Sequence, residues 1–166
     1  MKNLKTPLRY PGGKSRAITK ISEFFPDLSK YEQFREPFLG GGSVALWVTK
    51  TYPDLKIWVN DLYEPLYNFW VQLQSSGSEM QDILSDIKGE NPDPDKAKEL
   101  FIECKNQVST GDDLDRAVAF YIINKCSFSG LGENSSFSAQ ASDSNFSMNG
   151  IEKLSGYQNL IKDWSI

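Results

Sequence analysis

Glu36-Pro37-Phe38-Leu39-Gly40-Gly41-Gly42-Ser43-Val44 sets three consecutive glycines between an apolar run and a helix-forming run. Glycine reaches positive φ without steric cost and lets another molecule approach the backbone closely. A strand, a glycine turn and a helix start gather unpaired backbone N–H groups in one place, a floor for an anionic or nucleotide-like ligand. The same turn also serves simply to pack a helix tightly onto a strand. Nineteen residues past Gly42, the β-type run Lys56-Ile57-Trp58-Val59-Asn60 ends at Asp61. An acid at the end of a second strand, about 20 residues beyond the glycines, is placed to accept hydrogen bonds from ribose hydroxyls. Asp61 can equally open the next helix, with Glu64 completing a capping box. Gly40-x-Gly42-x-x-Ala45 fits the dinucleotide fingerprint, so NAD(P) and S-adenosylmethionine (SAM) both suit the unit at this point.

Two further stretches carry chemistry. Thr6-Pro7-Leu8-Arg9-Tyr10-Pro11-Gly12-Gly13-Lys14 is dense in turn formers. Its Pro-Gly-Gly-Lys turn runs into a helix and could bind an anion through backbone N–H groups and the lysine. It lacks the earlier glycine of a Walker A loop. Asn124-Lys125-Cys126-Ser127-Phe128-Ser129-Gly130-Leu131-Gly132-Glu133-Asn134-Ser135-Ser136-Phe137 is polar and rich in small residues, yet spaced with large apolar ones. That pattern favours an ordered loop or hairpin with close access to a partner over a flexible linker.

The elements that must position these residues are legible from periodicity. A helix over 15–25 carries Ile18, Ile21, Phe24 and Phe25 on one side. Strands are expected over 34–38 and 56–61, with a helix over 43–50 between them. Pro65 sits just inside the helix that Asp61 opens; Leu66, Phe69, Trp70 and Leu73 follow at helical spacing, and Ser75-Ser76-Gly77 ends it. Residues 78–115 carry 11 acids against four lysines and read as two or three surface helices, one of them over 94–108. Residues 115–125 suggest a buried helix and 151–162 a short one. Asp163-Trp164-Ser165-Ile166 begins what could be a strand.

Composition sets the bounds. At 166 residues and 39% apolar content the chain is of single-domain size, with room for a modest insertion. No apolar window is long enough to span a bilayer and residues 1–16 lack a signal-peptide core, so a cytoplasmic protein without membrane contact is expected. Two cysteines imply no disulfide framework, and with no histidine neither a zinc site nor His-based catalysis is expected. The net charge of −4 hides a basic arm: residues 1–35 carry eight Lys/Arg against three Asp/Glu. Such an arm on an acidic body suits local contact with phosphates rather than coating of nucleic acid.

In this order and at these separations, Arg9-Tyr10-Pro11-Gly12-Gly13-Lys14, Glu36 through Val44, Val59-Asn60-Asp61 and Asn124 through Leu131 resemble the Dam-type adenine-N6 DNA methyltransferases. The likeness runs from about Leu8 to the last residue. It demotes a Rossmann oxidoreductase, which predicts neither the Pro-Gly-Gly-Lys loop nor the Phe128 segment. The resemblance implies an α/β fold: a partial Rossmann-like SAM-methyltransferase sheet with an inserted, mainly helical DNA-recognition domain. Residues 1–76 and 151–166 would belong to the sheet and 77–150 to the insert. The cofactor would be SAM, held by Tyr10, Lys14, Glu36, Pro37, Phe38, Gly40 and Gly42, with Asp61 on the ribose. Double-stranded DNA would meet Arg9, Lys125, Phe128, Ser129, Leu131 and Glu133, with Phe128 a wedge near the flipped base. Relatives that read GATC carry a basic residue where this chain has Glu133. A carboxylate can accept from a cytosine amino group but cannot fork onto guanine, so GATC is not the expected site.

The family's Asp-Pro-Pro-Tyr type motif, which holds the target amino group and stacks on the extruded base, has no match here, and no catalytic residue is assigned. The reading is therefore the N-terminal part of a SAM-dependent DNA adenine-N6 methyltransferase, working without a metal. The alternative is an inactive SAM- and DNA-binding module completed by a second chain or by self-association.

Overall fold

The computed structural model describes residues 5–128, 130 and 134–166. It is a mixed α/β molecule, mostly helical, around a small parallel sheet. Strand β1 (Gln33–Glu36) and strand β2 (Lys56–Val59) pair in parallel, with Phe34 opposite Ile57 and Glu36 opposite Val59. Helix α2 (Ser43–Thr51) crosses between them. It buries Ala45, Leu46 and Val48, one face at helical spacing. The last residues do extend the sheet. Val59 donates to the Ser165 carbonyl and Ser165 to the Ile57 carbonyl, both at 2.9 Å, on the edge of β2 away from β1.

Beyond the sheet the chain is helical. Helix α1 (Ile18–Ile21) is shorter than the periodicity suggests, because a 3-10 turn takes over at Ser22. That turn leaves Phe24 87% exposed, while Phe25 packs edge-on against Trp47. Helix α3 (Glu64–Glu90) is followed by α4 (Pro94–Gln107), α5 (Asp113–Cys126), α6 (Ala139–Asn145), α7 (Met148–Ile151) and α8 (Leu154–Ile161). Asp93 and Asp112 cap α4 and α5 by accepting backbone N–H groups of their first turns. Helix α5 is buried without a break from Ala117 to Cys126, the signature of a helix enclosed by its neighbours.

Ser75-Ser76-Gly77 does not end α3. The helix passes through with one non-helical residue, Ser76 (φ −131°, ψ 25°). Helix α8 compensates the break. The Gln158 side chain donates to the Ser75 carbonyl at 3.0 Å and accepts from the Ser78 N–H and hydroxyl, both at 2.9 Å. A Cβ on Gly77 would stand 2.8 Å from the Gln158 Cβ, so glycine permits the contact. Residues expected only on surface helices then join the core, among them Met80, Leu84, Phe101 and Cys104. One apolar cluster runs from Leu8 through Trp70 and Tyr121 to Trp164. Among the described residues no helix is long and apolar enough to cross a membrane.

Candidate functional site

The glycine turn follows β1 directly. Gly40 (φ 52°) and Gly42 (φ 69°) occupy the left-handed region, and both are hemmed in. A Cβ on Gly40 would lie 2.9 Å from the Tyr10 ring, and one on Gly42 2.7 Å from the Trp70 ring. Trp70 fixes the turn further by donating its indole N–H to the Gly40 carbonyl at 3.0 Å. Gly42 opens α2 and has no side chain with which to cap it. Glu36 supplies that acceptor, taking the Ala45 N–H at 2.9 Å.

Asp61 secures the turn from the end of β2. One carboxylate oxygen accepts the Gly40 N–H at 2.8 Å and the other the Tyr63 N–H at 3.1 Å. The capping box expected between Asp61 and Glu64 does not form. Helix α3 starts at Glu64 with Tyr63 as its first flanking residue, and the Glu64 carboxylate pairs with Arg116 on α5 instead.

Over this turn lies a cleft of about 230 Å³ lined by residues 10–14, Glu36 and residues 38–44. Sequence-predicted Tyr10, Lys14, Glu36, Phe38, Gly40 and Gly42 therefore meet at one place, and Asp61 joins them through Gly40; Pro37 is exposed between Glu36 and Phe38. The N-terminal loop is held there by a turn, Gly13 N–H to the Tyr10 carbonyl at 2.9 Å, and by Ser15 and Ser43 hydroxyls 2.8 Å apart. The Lys14 ammonium is exposed and donates to the Gly12 carbonyl at 2.5 Å. Partial burial and the neighbouring Asp61 raise the Tyr10 hydroxyl above its usual value. Glu36 is pushed up to about 7, mainly by burial and also by Asp61, against the lowering influence of the Ala45 N–H.

Two large apolar side chains stand almost free beside the turn, Phe38 (82% exposed) and Leu62 (91%). Leu62 was not singled out from the sequence. Its only signal was an apolar residue directly after Asp61.

The Phe128 stretch forms the base of a hairpin. Ser127 and Phe137 make an antiparallel bridge, Phe128 donates to the Ser136 carbonyl at 3.0 Å, and Ser138 to the Cys126 carbonyl at 2.9 Å. Phe128 is 77% exposed. Ser129, Leu131 and Glu133, expected on the DNA side, lie outside the described residues.

Arg9 and Lys125, expected on the DNA side, both make contacts within the chain. The Arg9 guanidinium donates to the Ser127 carbonyl at 2.5 Å and the Phe128 carbonyl at 3.1 Å, so it braces the hairpin rather than standing free for phosphates. Lys125 is buried with its ammonium 5.1 Å from the centre of the Tyr121 ring. Burial, and secondarily Arg9, lower it to about 8. A helix enclosed on all sides gave this lysine no outward face.

The chain matches the model of the D12 class N6 adenine-specific DNA methyltransferases over residues 10–166. It is similar to the type II methyltransferase M.MjaIII of Methanocaldococcus jannaschii, with 26% identity over 137 residues, covering 77% of this chain and 47% of that protein. It is also similar to the type II methyltransferase M1.LlaDCHI of Lactococcus lactis subsp. cremoris, with 25% identity over 134 residues, 78% of this chain and 43% of the relative. The chain thus spans about half the length of the curated relatives it matches.

Proposed function

This chain belongs to the D12 class N6 adenine-specific DNA methyltransferase family, and on that premise we propose that it binds SAM at the glycine-turn cleft and faces double-stranded DNA with its hairpin. The observation that carries the reading is the gathering of Tyr10, Lys14, Glu36 and residues 38–44 round one cleft, at the carboxyl end of a β1–α2–β2 unit. Parallel sheets place nucleotide ligands at that end of the strands, and the two parallel strands bridged to Ser165 support reading them as part of a Rossmann-like sheet.

The residues present fit such a ligand. Asp61 already uses its oxygens on two N–H donors, and each keeps a second lone pair for a ribose hydroxyl. Among the described residues Lys14 is bonded only to a neighbouring carbonyl, and it can turn to a carboxylate. The cleft is smaller than the roughly 300–1,000 Å³ of most ligand pockets. Exposed Phe38 and Leu62 offer the further apolar surface that a purine ring needs.

When bound, SAM would supply an electrophilic methyl group from its sulfonium to the adenine N6 amine, with S-adenosylhomocysteine as the leaving group and one amine proton released. This amine is a poor nucleophile, because its lone pair is delocalised into the ring. Acceptors for its two N–H groups are needed to localise it. The family's Asp-Pro-Pro-Tyr type motif would provide them, and these 166 residues do not contain it. We assign to this chain the donor pocket and a DNA contact through Phe128. On this reading the amino-group acceptors are expected from residues that carry that motif, which are not among these 166.

Calorimetry with SAM, S-adenosylhomocysteine and NAD tests the cofactor. SAM is expected to bind more tightly than NAD, and Asp61→Ala and Lys14→Ala each to weaken it. The Lys14 contact with a carboxylate is worth about 1.5–3 kcal/mol. Equal NAD binding that ignores Lys14→Ala would overturn the assignment.

A further inference from the structure

The N-terminal loop touches both the cleft and the hairpin through two adjacent residues. Tyr10 lies against Gly40 and Gly41, where added Cβ atoms would each stand 2.9 Å from it. Arg9, the preceding residue, is gripped by Asn124, which is only 1% exposed near the end of α5. The Asn124 carbonyl oxygen accepts the Arg9 N–H at 2.8 Å, and its amide donates to the Arg9 carbonyl at 2.7 Å. The same amide reaches the Gly130 carbonyl at 3.1 Å. Gly130 (φ 75°) is so close that a Cβ would meet the Arg9 carbonyl oxygen at 2.7 Å. The Arg9 guanidinium closes the ring on the carbonyls of Ser127 and Phe128.

We propose that Asn124 and Arg9 are positioning residues that couple occupancy of the cofactor cleft to the setting of the hairpin. A ligand packed on Tyr10 restrains the backbone of residues 9 and 10. Asn124 and the Arg9 fork then pass that restraint to Ser127, Phe128 and Gly130. Three polar contacts on one buried amide leave the loop no way to shift without moving the hairpin base. Coupling of this kind is reciprocal, so a hairpin engaged by DNA strengthens donor binding by the same factor. This inference rests on the cofactor reading above. It also assigns to Arg9 a geometric role that its positive charge alone would not fulfil, since lysine has one nitrogen where the guanidinium sets two against the two carbonyls.

Amide hydrogen exchange of the ¹⁵N-labelled chain, with and without S-adenosylhomocysteine, separates the two readings. In the native chain the ligand is expected to slow exchange at Gly40 in the cleft and at Ala45, whose N–H the cleft residue Glu36 accepts. It should also slow Phe128, Gly130 and Ser138 at the hairpin base, by about fivefold or more. In Arg9→Lys, which keeps the charge, and in Asn124→Ala, cleft protection should persist while hairpin protection falls below about twofold. Cleft protection with no hairpin response in the native chain overturns the coupling alone. So does an undiminished hairpin response in both variants. Absence of protection in the native cleft overturns the cofactor reading and this one with it. If Asn124→Ala fails to fold, Arg9→Lys alone decides, since it removes no buried group.

Discussion

The Gly40 N–H donates to the Asp61 carboxylate at 2.8 Å, tying the turn after one strand to the residue after its neighbour. Because Tyr63 N–H takes the other oxygen, Asp61 is a structural part of the site before any ligand arrives. Asp61→Asn can accept only one of these two N–H groups, and its amide N–H₂ opposes the other. A stability loss of about 1–3 kcal/mol is expected in denaturant titration, along with weaker SAM binding in calorimetry. Unchanged values of both would remove Asp61 from the site.

Gly42→Ala meets two obstacles, a left-handed φ of 69° and the Trp70 ring 2.7 Å from the new Cβ. The backbone alone costs about 1–2 kcal/mol, and the overlap adds to it. Thermal unfolding should show a clear loss, whereas Gly89→Ala, with nothing within 4 Å, should be neutral or stabilising. An equal effect at the two positions would contradict the packing described.

Glu36 gives the site a pH dependence. Its folded value of about 7 lies above the ordinary 4.5. The stability it contributes is therefore full below pH 4.5 and lost as pH rises through 7, a change of at most about 3 kcal/mol. Glu36→Gln keeps an acceptor for the Ala45 N–H and carries no charge. Its advantage in Tm over the native chain should grow from pH 4.5 to pH 8. If the cationic methyl donor binds beside Glu36, it favours the ionised carboxylate. Calorimetry near pH 6.5 in buffers of different ionisation enthalpy should then show proton release that Glu36→Gln abolishes. A flat Tm difference across this range would mean that Glu36 is solvated.

Phe128 and Lys125 separate the hairpin's surface from its support. Phe128→Ala is expected to weaken duplex binding with little change in stability, because the ring is 77% exposed. Lys125→Met removes a buried ammonium and keeps its stem, so it should leave the slope of log affinity against log salt unchanged. A slope shallower by about one would instead make Lys125 a phosphate contact.

The chain of 166 residues is expected to bind donor and duplex without turning over. Proximity is worth about 7–11 kcal/mol only in a near-attack geometry, and these residues do not contain the Asp-Pro-Pro-Tyr type motif that would localise the amine lone pair. Tritiated methyl incorporation should stay at background until a chain bearing an Asp-Pro-Pro-Tyr type motif is added. Robust turnover by the chain alone would mean that other residues hold the amine.

By itself the sequence determined the strand, glycine turn, helix and second-strand acid. Each depends on a local rule, such as positive φ at Gly40 and Gly42, an apolar face on residues 43–50, and an acid at a fixed distance. It also determined where α4 and α5 lie, since Asp93, Pro94 and Asp112 act within one helical turn. Tertiary structure decided what depends on contacts far along the chain. Gln158, 82 residues beyond Ser76, lets α3 run through a serine-glycine break that would otherwise end it. Asn124, 115 residues from Arg9, holds the Arg9 backbone so that its guanidinium reaches the Ser127 and Phe128 carbonyls, a contact that the sequence did not foretell. Enclosure of α5 by its neighbours buried Lys125, because the face of a helix that meets solvent is set by what packs around it, not by the helix's own sequence.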